Sequence, residues 1–299
     1  MAELQLKNQS MEAPIVENEA ESPWQEAWRT FKKNKLALTG FIIVVGFILV
    51  ALFAPIIAPE SYNDIKVDDR LQAPSSEHWF GTDDFGRDIF SRVVYGARIS
   101  LWVGFFSVVL SAVAGSLLGI LAGYYGGWVD TIISRIFDIM LAFPSILLAI
   151  AIVAALGPSL QNALIAIAII NIPNFGRLIR SKVLSVKQEE YILSARAIGM
   201  KDRRILFRHI LPNSMTPIIV QGTLAIATAI IEAAALGFLG LGAQPPTAEW
   251  GKMLSDSRKF LIQAPWTMIF PGLAIMLTVL GFNLMGDGVR DALDPRMKN

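Results

Sequence analysis

Six runs of apolar sequence, at residues 36–58, 99–123, 136–156, 160–175, 215–236 and 268–284, dominate this chain. A helix needs about 20 apolar residues to cross the hydrocarbon of a bilayer. Inside lipid, every backbone amide and carbonyl must also find its partner within the protein. The fourth run is the shortest. With 54% hydrophobic and only 17% charged residues among 299, the runs read as an all-α polytopic membrane protein with six transmembrane helices.

The basic residues orient such a bundle. Placing the N-terminus inside puts 18 of the 26 Lys and Arg on the inner side. The outer side keeps the rest, with an acidic group at Asp64, Asp68, Asp69, Asp83, Asp84 and Asp88. Cytoplasmic loops carry the excess of Lys and Arg, so both termini are expected in the cytoplasm. The cations are spread around the spans rather than gathered on one face, which gives no support to nucleic-acid binding. No cysteine is present, so disulfides and thiolate metal sites are excluded. His78 and His209 alone make no multi-histidine site.

Residues 1–22 are polar and acidic, lack the basic start and apolar run of a signal peptide, and read as a disordered cytosolic tail. Residues 23–35 place Trp24, Trp28 and Phe31 on one helical face and gather Lys32, Lys33 and Lys35 beside the first span. That pattern predicts an amphipathic helix lying in the inner interface. Phe143-Pro144 interrupts the third run, Asn171-Ile172-Pro173 the fourth and Pro271-Gly272 the sixth. Each fits either a packed kink or a bending point between conformations.

Ionisable residues inside spans are the next signal. Arg135 and Asp138 stand three apart on one helical face, where mutual pairing lowers the cost of entering the membrane. An ionised carboxylate at mid-bilayer costs about 2.5–3.5 kcal/mol on insertion scales. Two roles therefore fit Glu232 in the fifth run: structural pairing or reach to the interface, and a place near a translocation pathway, for which Asn171 is the other candidate. On the outer side Asp83, Arg87 and Asp88 are expected to form an ordered, structural charge cluster, with Thr82 or Asp83 capping the helix that starts at Ile89.

Between the fourth and fifth runs lies a compact polar module. Residues 189–198 have helix-forming composition, Gly199 suits the left-handed conformation that ends a helix, and Asp202 is placed to cap a second short helix ending before Pro212. Small Ser194, Ala195 and Ala197 leave room for a partner's surface. Arg196, Arg203, Arg204 and Arg208 offer forked donors to its carboxylates and carbonyls.

This module resembles the signature loop that permease subunits of ABC importers present to their ATPases: Glu-Ala-Ala, three residues, Gly, nine residues, Ile-x-Leu-Pro. The matching positions are Leu193-Ser194-Ala195, Gly199 and His209-Ile210-Leu211-Pro212. Leu193 replaces Glu and His209 replaces Ile. Both departures are familiar in the oligopeptide and dipeptide branch, where Ala-Arg-Ala-x-Gly and His-x-Leu-Pro-Asn recur. Residues 80–92 are similar to the Gly-Thr-Asp-x-x-Gly-Arg-Asp segment of C-type peptide and nickel importer permeases, and residues 237–251 are similar to the same branch. Glu232-Ala233-Ala234 imitates the triplet, but Gly237 follows after only two residues, in apolar sequence.

The resemblance implies a type I ABC importer transmembrane domain, with residues 36–98 the first span and extracytoplasmic loop and residues 99–299 the permease core. Its coupling loop would be residues 177–213, with Glu190, Leu193, Ser194, Ala195, Arg196, Ala197, Gly199, Arg203, Arg204, His209, Leu211 and Pro212 serving the ATPase contact. It implies a second, B-type permease, two ATP-binding subunits, an extracytoplasmic peptide-binding protein, and residence in a bacterial or archaeal cell membrane. ATP and Mg would be used by the ATPases, with no cofactor on this chain. Its only Gly-Lys pair, Gly251-Lys252, is followed by Met253, so no phosphate-cradling Gly-x-x-x-x-Gly-Lys-Ser/Thr loop exists.

Oligopeptides or dipeptides are the expected cargo, with nickel or another small solute as the alternative. An ion-coupled secondary transporter would leave the polar module without a role and lacks matched intramembrane sites. A hydrolase finds no His-Glu-x-x-His, no Gly-x-Ser-x-Gly and no cysteine nucleophile. In the expected mechanism, closure of the ATPases moves the helix at 189–198, and Gly199 with a Leu211-Pro212 anchor passes the motion to the fourth and fifth spans.

Overall fold

The computed structural model describes residues 23–293, with side chains from Gln25 on. The tail expected at residues 1–22 lies outside them. Helix α1 (Pro23–Lys33) leads into α2 (Lys35–Leu52), and Asn34 between them caps α2 by accepting from the Leu36 and Ala37 amides at 3.1 Å. A short α3 (Ala54–Ile57) ends this crossing. Then come α4 (Ile89–Tyr125), α5 (Gly127–Leu141), α6 (Ser145–Leu156) and α7 (Leu160–Val186). The polar module holds α8 (Glu190–Ala197), α9 (Asp202–Ile205), a π-helical turn (Leu206–Ile210) and α10 (Leu211–Asn213). The chain continues through α11 (Met215–Phe238), α12 (Trp250–Ser257) and α13 (Trp266–Leu293).

Among the described residues, five helices are long and apolar enough to cross a membrane, or six if α5 and α6 form one span bent by 95°. That bend falls at Phe143-Pro144. The other two proline sites do not interrupt their helices: Pro173 lies inside α7 and Pro271 inside α13.

Two helices run further than the apolar runs that signalled them, for electrostatic reasons. Helix α4 begins at Ile89, the expected start, and continues unbroken through the apolar run at 99–123; the Asp88 carboxylate caps it by accepting from the Ser91 amide at 2.7 Å, which neither Thr82 nor Asp83 does. Its 37 residues extend about 55 Å at 1.5 Å per residue, beyond what the hydrocarbon requires. Helix α7 runs past 175 to Val186 because carboxylates on α5 receive its arginines: Arg180 Nη2 donates to Asp130 at 2.7 Å, and Arg177 pairs with Asp138. Asp138 therefore pairs across helices and not with Arg135.

Helices α4 and α7 form the spine of the bundle. A Cβ on Gly115 would stand 2.6 Å from the Ile172 carbonyl oxygen, and one on Gly119 2.4 Å from that of Gly176. Only glycine lets the two backbones approach so closely, which is how helices pack in lipid, where burial against a neighbour gains little hydrophobic free energy. Around this seam, Val103 and Val108 of α4, Ala149 and Val153 of α6, Ile167 of α7 and Ala229 of α11 make the main apolar core. The segment between α3 and α4 folds back onto the bundle. Thr82 Oγ1 accepts from the Gln72 amide at 2.8 Å, Arg92 donates to the Tyr62 carbonyl at 2.8 Å, and Trp266 Nε1 reaches the Thr82 carbonyl at 3.3 Å.

Candidate coupling loop and buried polar contacts

The polar module is seated by three isoleucines. Ile192 from α8, Ile205 from α9 and Ile210 from the π turn are fully buried against Tyr124, Ile179, Val183 and Val186, a satellite core at one end of α4 and α7. Tyr124 is the pin. Its hydroxyl donates to Asp202, its carbonyl accepts from Lys187 Nζ at 2.7 Å, and the Arg196 guanidinium lies 5.1 Å from its ring. Asp202 is consequently not a cap: Lys201 holds the N-cap position of α9, with no side-chain hydrogen bond there.

Gly199 adopts φ +78° and ends α8 as its sequence position suggests. The second helix does not stop before Pro212. It passes through a π turn in which the Leu211 amide bonds to the Leu206 carbonyl, a register change that accommodates a residue without an N–H. Asn213 and Ser214 side chains donate to the His209 and Ile210 carbonyls at 2.6 and 2.8 Å. Pro212 is exposed, so the packing anchor is Ile210, with Leu211 half-buried.

What faces outward also differs from expectation. Ala195 is buried, so the small-residue face reduces to Ser194 and Ala197. Beside them Leu193 is 53% exposed, Ile198 80% and Phe207 62%, among the exposed Glu190, Arg196, Arg203, Arg204 and Arg208. His209 is half-buried, its ring 6.0 Å from that of Tyr191. A surface of apolar knobs among cations is chemically suited to a partner with a greasy cleft and an acidic rim. Phe207 and Tyr124 were missed from sequence; an aromatic residue inside a run of arginines was the available signal for the first.

On the opposite side, the cluster around Asp83 is internal. Asp83 accepts from Arg87 Nε at 2.7 Å and from the Phe85 and Arg87 amides, and lies 3.5 Å from Arg92 Nε. Asp88 joins His78 Nδ1 at 3.1 Å besides capping α4. These contacts fix the loop against α4. Asn171 and Glu232, the two pathway candidates, meet: Asn171 Nδ2 donates to the Glu232 carboxylate at 3.0 Å and to the Ile167 carbonyl at 3.0 Å, both side chains buried. Of the two roles open to Glu232, the geometry supplies structural pairing.

Sequence reading passed over Glu249. It is 3% exposed and caps α12, accepting from the Gly251 and Lys252 amides at 2.8 Å each. It packs so tightly on α11 that a Cβ at Gly237 would fall 2.3 Å from its carboxylate. Burial pushes its carboxyl up to about 7, against the opposing pull of those amides.

A helical membrane bundle with a short, seated helix pair between two of its spans is the architecture of an importer's transmembrane subunit. Residues 115–299 match the binding-protein-dependent transport system inner membrane component family, and residues 22–74 match the N-terminal transmembrane domain of oligopeptide transport permease C. The chain belongs to this family of ABC importer permeases, in its C-type branch, and is an inner-membrane, multi-pass protein.

Among its relatives is a dipeptide transport system permease protein of Alkalihalophilus pseudofirmus, 68% identical over 94% of this chain and 92% of that one. A glutathione transport system permease protein of Escherichia coli is 53% identical over 95% of each chain. The fold is shared with the inward-facing MetNI methionine ABC transporter (TM-score 0.55, 20% identity, covering 68% of this chain and 97% of that one). It is also shared with an amino acid ABC transporter (TM-score 0.53, 14% identity, covering 66% and 92%).

Proposed function

We propose that this chain forms half of the translocation pathway of an ATP-driven importer for dipeptides or short oligopeptides. The other half would be a related B-type permease. Two ATPase subunits, carrying the ATP and Mg, would bind the coupling loop, and an extracytoplasmic peptide-binding protein would deliver cargo to the opposite face. Both termini and the loop would then be cytoplasmic, in line with the placement of the basic residues. Peptide cargo is supported by the relatives named for dipeptide and glutathione transport.

The observation that carries the coupling role is the Tyr124-centred seat beneath α8, which leaves Leu193, Ile198 and Phe207 projecting. A partner gripping those knobs would move the loop as one piece, and with it α7 and α11. Inverting a 99:1 conformational preference takes about 5.5 kcal/mol of differential binding, which a loop that flexed on its own could not transmit.

The chain has no native cysteine, so single cysteines at Ser194 or Ala197 give clean crosslinking sites. The complete assembly in proteoliposomes should take up labelled dipeptide only with ATP inside, and both sites should capture an ATPase subunit. Uptake that persists without nucleotide, or failure of both sites to capture an ATPase in any nucleotide state, would overturn the reading.

A further inference from the structure

An apolar slot of about 290 Å³ opens at the end of the bundle that carries the coupling loop. Trp28, Phe31 and Phe41 form one wall, and Ile219, Met285 and Val289 face them from α11 and α13. Every described residue lining it is apolar. Phe31 is buried, seated where Gly288 leaves room: a Cβ there would lie 3.1 Å from its ring. Trp28 stacks on Phe31 with centroids 5.8 Å apart, and Phe41 meets both rings edge-on. The floor of the slot is thus fixed by ring packing, while Trp28, 48% exposed, stands at its rim.

The rim is cationic. Lys32 Nζ lies 5.0 Å from the Trp28 ring, and Lys33 and Lys35 are exposed on the same short connection between α1 and α2. Among the described residues, the acidic groups of these elements that stand against Arg29, Lys32, Lys33 and Lys35 are Glu26 in α1, Asp287 in α13, and Asp291, which accepts from Asn34 at 3.4 Å. An apolar slot under a positive rim, at the depth of an amphipathic helix, has the chemistry of an acyl chain below a phosphate. The flanking sequence is a poor match for it: residues 294–299 hold one large apolar side chain, Met297, and in residues 1–22 Leu4, Leu6, Met11 and Ile15-Val16 are interspersed with polar and acidic residues rather than gathered in a run.

We infer that this slot binds one acyl chain of an anionic glycerophospholipid from the surrounding bilayer, with its phosphate held by Lys32, Lys33 and Lys35. The site ties α1 to α2, α11 and α13, so its occupancy would brace the helix that enters the membrane first against the last.

The test uses the full chain in nanodiscs of phosphatidylcholine, to which either chain-brominated phosphatidylglycerol or chain-brominated phosphatidylcholine is added at equal fractions. The Trp28 signal is taken as the difference between wild type and Trp28→Phe. Brominated phosphatidylglycerol should quench Trp28 several-fold more strongly than brominated phosphatidylcholine, and high salt should erase the preference. Replacing the three lysines (K32Q, K33Q, K35Q) should bring quenching by the two lipids to the same level.

Equal quenching of the Trp28 signal by the two lipids would overturn the proposal. So would absence of quenching by either lipid, which would mean that chain or partner fills the slot, and so would a preference that survives the lysine replacements.

Discussion

The Asn171 amide donates to the Glu232 carboxylate at 3.0 Å inside the apolar bundle, joining α7 to α11. These are the two helices that the coupling loop connects. The loop therefore closes a frame: α7 and α11 are linked at one end through Ile192, Ile205 and Ile210 and, within the membrane, through this hydrogen bond. Because α7 also touches α4 backbone to backbone at Gly115 and Gly119, a displacement of the loop is carried by three helices together.

Removing either side of that bond should loosen the frame. Interhelical hydrogen bonds in membranes average about 0.6 kcal/mol and reach about 1.7. Glu232→Ala and Asn171→Ala are each expected to lower stability in detergent by about 1 kcal/mol, and Glu232→Gln, which keeps an acceptor oxygen, by less. A double-mutant cycle on thermal unfolding checks this: the pair should be sub-additive. Full additivity would mean that the two side chains do not depend on each other.

Gly199 combines φ +78° with open space, since a Cβ there would meet no atom within 4 Å. Substitution should act through backbone strain alone. Gly199→Ala is expected to cost about 1–2 kcal/mol and to lower transport relative to membrane abundance. Gly199→Asn, which tolerates the left-handed region, should retain more. Uptake per permease, with abundance measured by blotting, separates the two; identical behaviour of Asn and Ala would count against the strain argument.

The spans, the polar module and Gly199 were legible because hydropathy and glycine act locally: an apolar run must cross, and a left-handed residue must end its helix. What could not be read depends on pairing across the fold. Arg177 and Arg180 looked like the end of a span, yet Asp138 and Asp130 on another helix let α7 continue past them. Ala195 looked like part of a contact face, but the direction of its side chain follows from how Ile192, on the same helix, is seated under Tyr124. Glu249 falls in a segment that sequence flagged only by resemblance; its burial follows from the close approach of α11 and α12 at Gly237 and Gly251, a contact between helices that the residues themselves do not announce. Pro173 and Pro144 are both prolines within apolar sequence, and only the second breaks its crossing.

Tyr124 holds the loop through one hydroxyl. Tyr124→Phe keeps the ring against Arg196 but removes the donor to Asp202, a bond to a charged group worth about 1.5–3 kcal/mol where fully buried and less here because Asp202 is exposed. The variant should expose the Arg203-Arg204 segment to trypsin faster than wild type, while the thermal midpoint of the bundle changes little. Unchanged cleavage kinetics would show that the isoleucine cluster alone seats the loop.

Glu249 gives a pH dependence with a definite sign. Its carboxyl titrates at about 7 in the folded chain, raised by burial from about 4.5. The folded state therefore binds the proton more tightly than the unfolded one. Stability is fullest below pH 4.5 and is lost as pH rises towards 7, by an amount on the order of 3 kcal/mol at 1.36 kcal/mol per unit. Thermal midpoints in detergent between pH 5 and 8 should fall with pH and then level off. Glu249→Gln should flatten that slope, although it gives up one of the two acceptors for the Gly251 and Lys252 amides and so should lie below wild type at pH 5. A slope that survives the substitution would assign the titration to another group.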